Sequence, residues 1–282
     1  MMQSMTIVYF SATNITHLYA EVICEESLVQ NWDTQLHNIT SFESRKKTRL
    51  EGKNFIFGFP VYADYAPGVI NTWLERIDGE GRRCAMFFTY GGRTTGYAHF
   101  HTKKLLESVG FQVLFSAEFI GRHSFNLGGW TILQDRPNEE DFKVAREFAR
   151  LAVDRFSQEH PPVFHLQKPF GYYHSIDAIS EPSKRSQRGF AQPIRKTDCC
   201  SMCCICEEDC PTKAFNATTG LSDINKCIEC LHCVFICPDH VIECDPRMRD
   251  ELQGFLDYFD LNDQMLNTKQ SKIITESWQA AA

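Results

Sequence analysis

Residues 5–16 read MTIVYFSATNIT and contain the local pattern that decides the fold. Residues 5–10 form an apolar run rich in β-branched and aromatic side chains, which predicts a buried strand. Small hydroxyl and amide residues follow at once, and apolar residues then recur at helical spacing over 16–29, which predicts a helix. A buried strand that leads directly into a helix is the first half of a βαβ unit, so this stretch predicts an α/β fold.

The same alternation continues through the first 160 residues. Further strands are predicted over 33–39, 54–59, 84–89 and 111–120, and further helices over 69–77, 98–109 and 139–157. Alternating strands and helices favour parallel pairing with right-handed crossovers. We therefore predict a doubly wound sheet of five parallel strands, with ligands bound at the carboxyl ends of the strands.

Composition changes sharply after this region. The 282 residues contain 13 cysteines, and eleven of them lie between Cys199 and Cys244, whereas Cys24 and Cys84 stand alone as expected core residues. Such a shift predicts a second, smaller domain. The predicted boundaries are an α/β domain over 1–160, a proline-containing linker over 161–197, a cysteine-rich domain over 198–245, and a C-terminal helix and polar tail over 246–282.

Net charge and hydropathy exclude several classes of protein. The formal charge is −7, and residues 198–245 account for it with nine acidic and two basic side chains. A general nucleic-acid binder would carry a basic excess. The sequence has no apolar run long enough for a membrane span and no secretory pattern at its start, so we expect a cytoplasmic protein in a reducing compartment.

Residues 200–211 and 227–238 share the spacing Cys-x2-Cys-x2-Cys-x3-Cys-Pro. Three cysteines at this spacing can surround one face of a metal cluster, while the fourth ligand must come from elsewhere. Zinc is the alternative, but one zinc ion needs only four donors and leaves the duplicated run unexplained. Cys199 and Cys204 permit a shifted register in the first run, and the second run favours Cys200.

This spacing resembles that of bacterial ferredoxins with two [4Fe–4S] clusters, in which the fourth cysteine binds the other cluster. The resemblance implies a small α+β ferredoxin-like domain and two sets of ligands. One cluster would be held by Cys200, Cys203, Cys206 and Cys237, and the other by Cys227, Cys230, Cys233 and Cys210. Three cysteines are left over and are expected to be buried against the clusters: Cys199, Cys204 and Cys244.

Three loops at the predicted carboxyl edge of the sheet suggest a flavin site. A phosphate can be bound by hydroxyls and main-chain N–H groups at the start of a helix, although the same hydroxyls also serve as ordinary helix caps. Two further loops each carry an aromatic residue that could cover a flavin ring. The candidate FMN-binding residues are Ser11, Ala12, Thr13, Asn14, Ile15 and Thr16 in the first loop, Pro60, Val61, Tyr62 and Ala63 in the second, and Thr89, Tyr90, Gly91 and Gly92 in the third.

These loops resemble the corresponding loops of flavodoxin, and the chain over about 1–245 resembles the fused flavodoxin–ferredoxin electron carriers of anaerobic bacteria and archaea. The resemblance implies a flavodoxin-like sheet that binds FMN. Asn14 replaces a glycine of the flavodoxin phosphate loop, and Ile15 replaces a residue that is often polar. Asn tolerates a positive φ better than most residues, so this loop could keep its shape. Asp64 would either place a negative charge near the flavin or face solvent.

Two other segments carry polar residues of interest. The loop over 121–130 lies at the same predicted edge, and its Arg122, His123 and Asn126 are candidates to contact the flavin rim or a substrate. The run over 184–196 contains Lys184, Arg185, Arg188, Arg195 and Lys196 and no acidic residue, so it could dock on the acidic domain, receive an acidic partner or be a solvated linker.

Three functions follow as hypotheses. The first is an electron carrier that passes low-potential electrons between FMN, two clusters and an unidentified redox partner protein. The second is a flavin-dependent reductase of a small substrate, which needs an open cleft over the flavin. The third is an iron–sulfur sensor or scaffold protein that has lost FMN. Flavodoxin-like proteins can form homodimers, and the sequence leaves the oligomeric state open.

Overall fold

The computed structural model describes residues 3–172 and 192–275. Five parallel strands lie in the order β2-β1-β3-β4-β5, which is the flavodoxin-like order with its switch point between β1 and β3. Their bounds are β1 Ser4–Tyr9, β2 Asp33–Asn38, β3 Asn54–Pro60, β4 Arg83–Tyr90 and β5 Gln112–Ile120. The predicted doubly wound parallel sheet is therefore confirmed.

Helices cover both faces of this sheet: α1 Ile15–Val29, α2 Gly68–Leu74, α3 Ala98–Ser108 and α4 Glu139–Ser157. In β1, Ile7 packs among residues of α1 and α4, whereas Val8 packs among residues of α2 and α3. Because both faces are buried from Ile7 onward, successive side chains there are apolar, which explains the apolar run over 7–10.

A sixth strand, β10 (Lys272–Ile274), pairs antiparallel with β5 at the edge of the sheet. The sequence alone predicts a polar tail here, and that prediction is wrong for residues 263–274. Ile274 is buried and Ile273 packs against the sheet, while Lys272 pairs with Glu118 at 3.0 Å. Three residues are too few for periodicity to reveal such a strand.

The cysteine-rich region forms a small α+β domain, as predicted. Its sheet has the order β7-β8-β6-β9 and is antiparallel throughout. Strand β6 lies within the linker predicted over 161–197, so the cysteine-rich domain begins earlier than the predicted residue 198. The elements are β6 Ile194–Arg195, α5 Ile205–Glu208, β7 Phe215–Asn216, β8 Leu221–Ser222, α6 His232–Ile236 and β9 Ile242–Glu243.

Helix α7 (Arg247–Tyr258) follows, and a short helix α8 (Asp263–Asn267) leads to β10. Met248 of α7 is fully buried against the α/β domain, where its carbonyl accepts a hydrogen bond from Trp130 Nε1 at 2.6 Å. The segment over 160–172 also packs, with Phe164 buried in the core beside α2 and α3. The two domains therefore share buried contacts. No helix within residues 3–172 and 192–275 is both long and apolar enough to cross a membrane.

Candidate functional site

A cavity of about 1680 Å³ lies at the carboxyl edge of the sheet, where the predicted ligand-binding loops converge. All candidate flavin residues line this cavity except Asn14 and Gly92. Its walls also include the loop after β5, helix α7 and two segments of the cysteine-rich domain. The topology thus brings together three loops that are far apart in sequence, as the switch-point rule expects.

The first loop places three hydroxyl groups at the start of α1, those of Ser11, Thr13 and Thr16. Ser11 Oγ accepts a hydrogen bond from the main-chain N–H of His17 at 3.1 Å, and Thr16 Oγ1 lies 2.8 Å from Thr89 Oγ1. Two of the three predicted hydroxyls are therefore used within the protein. The Thr13 hydroxyl makes no hydrogen bond to another described residue and borders the cavity, so it is the hydroxyl best placed for a phosphate.

Asn14 adopts the left-handed conformation that its position requires, with φ 69°. Its side chain makes no capping hydrogen bond, so it does not block the main-chain N–H groups of the first turn of α1. Those groups and the helix dipole favour an anion. Replacement of glycine by asparagine therefore leaves the loop in a shape that fits a phosphate.

In the second loop, Tyr62 is half-buried and borders the cavity, with its main-chain N–H bonded to Tyr65 O at 2.7 Å. Burial, followed by the nearby Cys230 thiol, raises the pKa of Tyr62. Asp64 borders the cavity, partly exposed, and is paired with Arg93, so its charge is compensated. Gly96 is essential to this arrangement because a Cβ there would lie 2.4 Å from the Cβ of Asp64.

The third loop differs from the prediction in two respects. The Tyr90 side chain is 7% exposed and points to Glu118, with its hydroxyl 3.5 Å from Oε1, so Tyr62 is the better candidate to cover a flavin ring. Gly92 is a predicted FMN-binding residue but does not line the cavity. A Cβ at Gly91 would meet the His123 side chain at 2.6 Å, and one at Gly92 would meet Leu133 and Leu266 at 2.8 Å, so both glycines allow close packing within the protein.

The loop after β5 contributes a wall of the cavity through Arg122 and His123, but not through Asn126. The Asn126 amide donates to the carbonyl of Ile132 at 2.7 Å and therefore serves the loop itself. The His123 ring lies 5.0 Å from Trp130 and accepts a hydrogen bond from the Phe125 N–H. Burial, followed by the charge of Arg93, lowers the pKa of His123 to about 4, so this histidine is neutral at pH 7.

Helix α7 closes the outer side of the cavity, a position that the sequence does not predict. Phe255, Tyr258 and Phe259 line it, and the guanidinium of Arg93 lies 4.5 Å from the centre of the Phe259 ring. In the sequence, the only sign of this wall is the group of aromatic residues at positions 255, 258 and 259. Only the packing of α7 against Trp130 reveals that these rings face the predicted flavin loops.

The first group of predicted cluster cysteines lines one small pocket. Its walls contain Cys200, Cys203, Cys206 and Cys237, together with Cys204 and Arg195. The free space is about 10 Å³, or about one water molecule, so the thiols must turn away from one another to admit a cubane. Metal binding is coupled to the arrangement of such loops.

The second group is also brought together. The pKa of Cys233 is raised by burial and then by three nearby thiols, those of Cys230, Cys227 and Cys210. Burial, followed by the Cys227 and Cys210 thiols, raises the pKa of Cys230. Burial, with the charges of Glu229 and Cys210, raises the pKa of Cys227 to about 11. In each group one cysteine therefore comes from the opposite run.

The two cysteine runs also repeat one backbone conformation. Left-handed residues occur two and four positions after Cys200, at Met202 and Cys204, and two and four positions after Cys227, at Glu229 and Leu231. This alternation turns main-chain N–H groups toward a common centre and is typical of anion and Fe–S sites. The equal offsets match the register that begins at Cys200 rather than at Cys199.

Main-chain donors already point at several of these sulfurs. Ala214 N lies 3.2 Å from Cys210 Sγ, and Met202 N lies 3.4 Å from Cys200 Sγ. Within the described ranges, no group of three or more His, Cys, Asp or Glu side chains is arranged to hold a metal ion.

The remaining cysteines differ in their surroundings. Cys244 is buried, and burial followed by the charge of Cys227 raises its pKa to about 12. Cys204 is half-buried, whereas Cys199 is exposed, so the expectation of burial is wrong for Cys199. Cys84 is a core residue, as expected, and Cys24 is only partly buried.

The two candidate sites adjoin each other. Cys227, Ile228 and Glu229 line the same cavity as the three predicted flavin loops. Cys230 packs in the core of the α/β domain, where Val61 and Tyr62 lie against the same cluster of side chains. Of the predicted basic run, only Arg195 and Lys196 are described. Lys184, Arg185 and Arg188 lie outside the described residues.

Comparison with known proteins gives no family assignment. No family model matches the chain, and no curated protein matches it. A flavodoxin from the domain Archaea aligns with 55% of this chain and 100% of its own length, at 15% identity and a TM-score of 0.42. Rubredoxin oxygen:oxidoreductase from the anaerobe Desulfovibrio gigas aligns over 55% of this chain and 37% of its own length, at 14% identity and a TM-score of 0.40.

A flavodoxin from Streptococcus pneumoniae TIGR4 aligns with 54% of this chain and 98% of its own length, at 14% identity and a TM-score of 0.39. Likenesses at these scores carry no information on activity. The fold assignment rests on the strand order of the sheet described above.

Proposed function

We propose that the chain is an electron-transfer protein that passes low-potential electrons between FMN, two [4Fe–4S] clusters and a redox partner protein. The observation that carries this proposal is the shared wall of the flavin cavity and the second cysteine group, which Cys227 provides. A cofactor bound by the three loops would be next to a cluster bound by Cys227. When bound, FMN supplies exchange of one or two electrons, and each cubane supplies exchange of one.

Residues of this chain have distinct parts in the proposal. Thr13 and the N-terminus of α1 bind the phosphate, and Tyr62 covers the ring. The apolar side chains of Val61 and Ile228 exclude water between the two sites, since both pack in the same core. Main-chain N–H groups that point at the cysteine sulfurs partly offset the negative charge of a cluster.

The first cysteine group is the proposed point of contact with the partner. Cys203 is exposed, whereas Cys210, Cys230 and Cys233 of the second group are buried. The surrounding domain carries the acidic excess of the chain, and an acidic surface favours a partner with a basic patch. Electrons would pass from the partner to the first cluster, then to the second cluster and FMN, or in the reverse direction.

Composition of the purified protein tests this proposal. The protein is purified without oxygen, its visible spectrum is recorded, and iron, sulfide and flavin are assayed per chain. We expect about eight irons and eight sulfides, from two clusters of four, and one FMN. About four irons would overturn the two-cluster assignment, and failure to bind FMN after reconstitution would overturn the flavin assignment.

A reductase of a small substrate is the second candidate, and the size of the cavity favours it. Ligand pockets typically measure about 300–1,000 Å³, whereas this cavity measures about 1680 Å³ and has an aromatic outer wall at Phe255, Tyr258 and Phe259. A planar acceptor such as a quinone could stack there. Steady turnover with a small acceptor, reduced by Phe255→Ala, would favour this function over electron carriage alone.

A further inference from the structure

Arg45 is a buried cation at the junction of the two domains. It lies in a short 3₁₀ turn, Ser44–Lys46, that follows β2, and it is 6% exposed. Its Nη1 donates to the carbonyls of Ile39 and Thr40, each at 2.7 Å, and its Nη2 donates to the carbonyl of Pro211. Pro211 directly follows Cys210, so the guanidinium reaches the loop of a predicted cluster ligand.

These three acceptors satisfy N–H groups but contribute no net negative charge. No carboxylate among the described residues lies within 4 Å of the Arg45 guanidinium. Burial of a charged group without a partner of opposite charge is costly. The buried charge of Arg45 therefore needs a nearby anion, and that anion is not a described carboxylate.

The position of Arg45 points to that anion. Its Nη2 donates to the carbonyl of Pro211, the residue after Cys210. Burial lowers the pKa of Arg45 to about 10, and the Cys230 and Cys210 thiols act in the opposite direction. Both belong to the second cysteine group. Four thiolates outweigh the charge of a cubane core, so a cluster there is a net anion and gains one more negative charge when it is reduced.

We propose that Arg45 is the fixed counter-cation of the cluster held by Cys210, Cys227, Cys230 and Cys233, and that its charge raises the reduction potential of that cluster. This inference rests on the proposed function, because it requires the cluster. A nearby cation favours the more negative, reduced state. Arg45 would thus make the second cluster, which adjoins the flavin cavity, a better electron acceptor than it would be without the cation.

The test compares the wild type with Arg45→Gln, Arg45→Lys and a control, Arg82→Gln. Arg82 also donates to main-chain carbonyls, those of Gly79 and Leu50, but neither residue is next to a predicted cluster cysteine in the sequence. Each protein is purified without oxygen and assayed for iron, sulfide and flavin. The potentials of both clusters are then measured by redox titration with detection by electron paramagnetic resonance.

We expect Arg45→Gln to shift the potential of the second cluster to lower values while the first cluster is unchanged. Arg45→Lys should give a smaller shift because it keeps the charge, and Arg82→Gln should give none. Unchanged potentials in Arg45→Gln with both clusters present would overturn the inference, as would weaker FMN binding without a shift. Wild-type protein that lacks the clusters would instead overturn the proposed function.

If Arg45→Gln does not assemble the second cluster, Arg45→Lys decides the question. Assembly of that cluster in Arg45→Lys, with a potential close to that of the wild type, would support a role for the charge. The same assembly defect in Arg45→Lys would mean that only the forked hydrogen bonds to the three carbonyls matter, and it would overturn the proposed role as counter-cation.

Discussion

The Nδ1 atom of His232 lies 2.7 Å from the main-chain carbonyl oxygen of Ala12. Ala12 belongs to the predicted phosphate loop, and His232 stands between Cys230 and Cys233. Both residues are buried, so water does not readily replace this hydrogen bond. A carbonyl can only accept, and Nδ1 must therefore carry the proton. This contact ties the second cysteine run directly to the proposed FMN site.

Loss of this hydrogen bond should weaken FMN binding. His232→Ala leaves the buried Ala12 carbonyl without its donor, which costs about 1.4 kcal/mol and corresponds to about a tenfold weaker affinity. His232→Asn places an amide N–H near the position of Nδ1 and should retain most of the affinity. Fluorescence titration of the flavin-free protein with FMN measures both. Equal losses in the two variants would show that the hydrogen bond is not the cause.

The Thr13 hydroxyl should contribute directly to phosphate binding. Thr13→Val removes the hydroxyl with little change in shape and should weaken FMN binding by about tenfold, the value of roughly one hydrogen bond to a charged group. Thr13→Ser keeps the hydroxyl and should bind FMN nearly as well as the wild type. Riboflavin, which lacks the phosphate, should bind Thr13→Val and the wild type equally. A matching loss for riboflavin would contradict this role.

The two cysteine groups should respond separately to substitution. Cys230→Ser should remove the signal of the second cluster in electron paramagnetic resonance, and Cys203→Ser should remove that of the first. Cys199→Ser is the control, since Cys199 is exposed and outside both groups. It should leave both signals and the iron content unchanged. Persistence of both signals in Cys230→Ser would show that the ligand assignment is wrong.

The pair formed by Asp64 and Arg93 should set the charge beside the flavin. Asp64→Asn leaves the Arg93 cation uncompensated at the cavity, so it should make the flavin easier to reduce and raise its potential. Glu139→Gln is a matched control, because Glu139 pairs with Arg146 on the surface and does not line the cavity. Spectroscopic redox titration measures the flavin potential. A lower potential in Asp64→Asn would contradict the expected sign.

Glu118 should stabilise the attachment of β10 in a pH-dependent manner. Burial alone would raise its pKa, but hydrogen bonds and charges of His99 and Lys272 hold the pKa at about 2, below the ordinary 4.5. Its contribution is therefore complete above pH 4.5 and is lost as the pH falls toward 2. From this shift, the contribution is on the order of 3 kcal/mol.

Glu118→Gln tests this. The difference in the free energy of unfolding between wild type and variant should be constant from pH 8 to pH 6 and shrink below pH 4.5. Urea unfolding at several pH values measures it. A difference that grew as the pH fell would contradict the sign of the shift.

Much of the fold was predictable from sequence because its signals are local. The apolar run of β1 and the capping residues of α4, where Asn138 accepts from the N–H groups of Glu140 and Asp141, both lie within a few positions of the elements they define. Strand β10 was missed because three residues carry no periodicity. Its position depends on pairing with β5, which is more than 150 residues away in the sequence.

Residue types at the candidate site were also predictable, but their neighbours were not. The spacing of the cysteines indicated two groups, and the loops after β1, β3 and β4 indicated a cavity. Neither signal shows that Tyr90 turns to Glu118, that Arg93 pairs with Asp64, or that α7 forms the outer wall. Those contacts depend on side-chain packing between distant segments, which no local pattern encodes.

The central claim is that electrons pass between the flavin and the second cluster within one chain. The most direct measurement is the rate at which the clusters bleach after a light flash reduces the flavin in anaerobic protein. We expect a first-order rate that is independent of protein concentration and is abolished by Cys230→Ser. A rate proportional to protein concentration, or reduced flavin with no bleaching of the clusters, would contradict the claim.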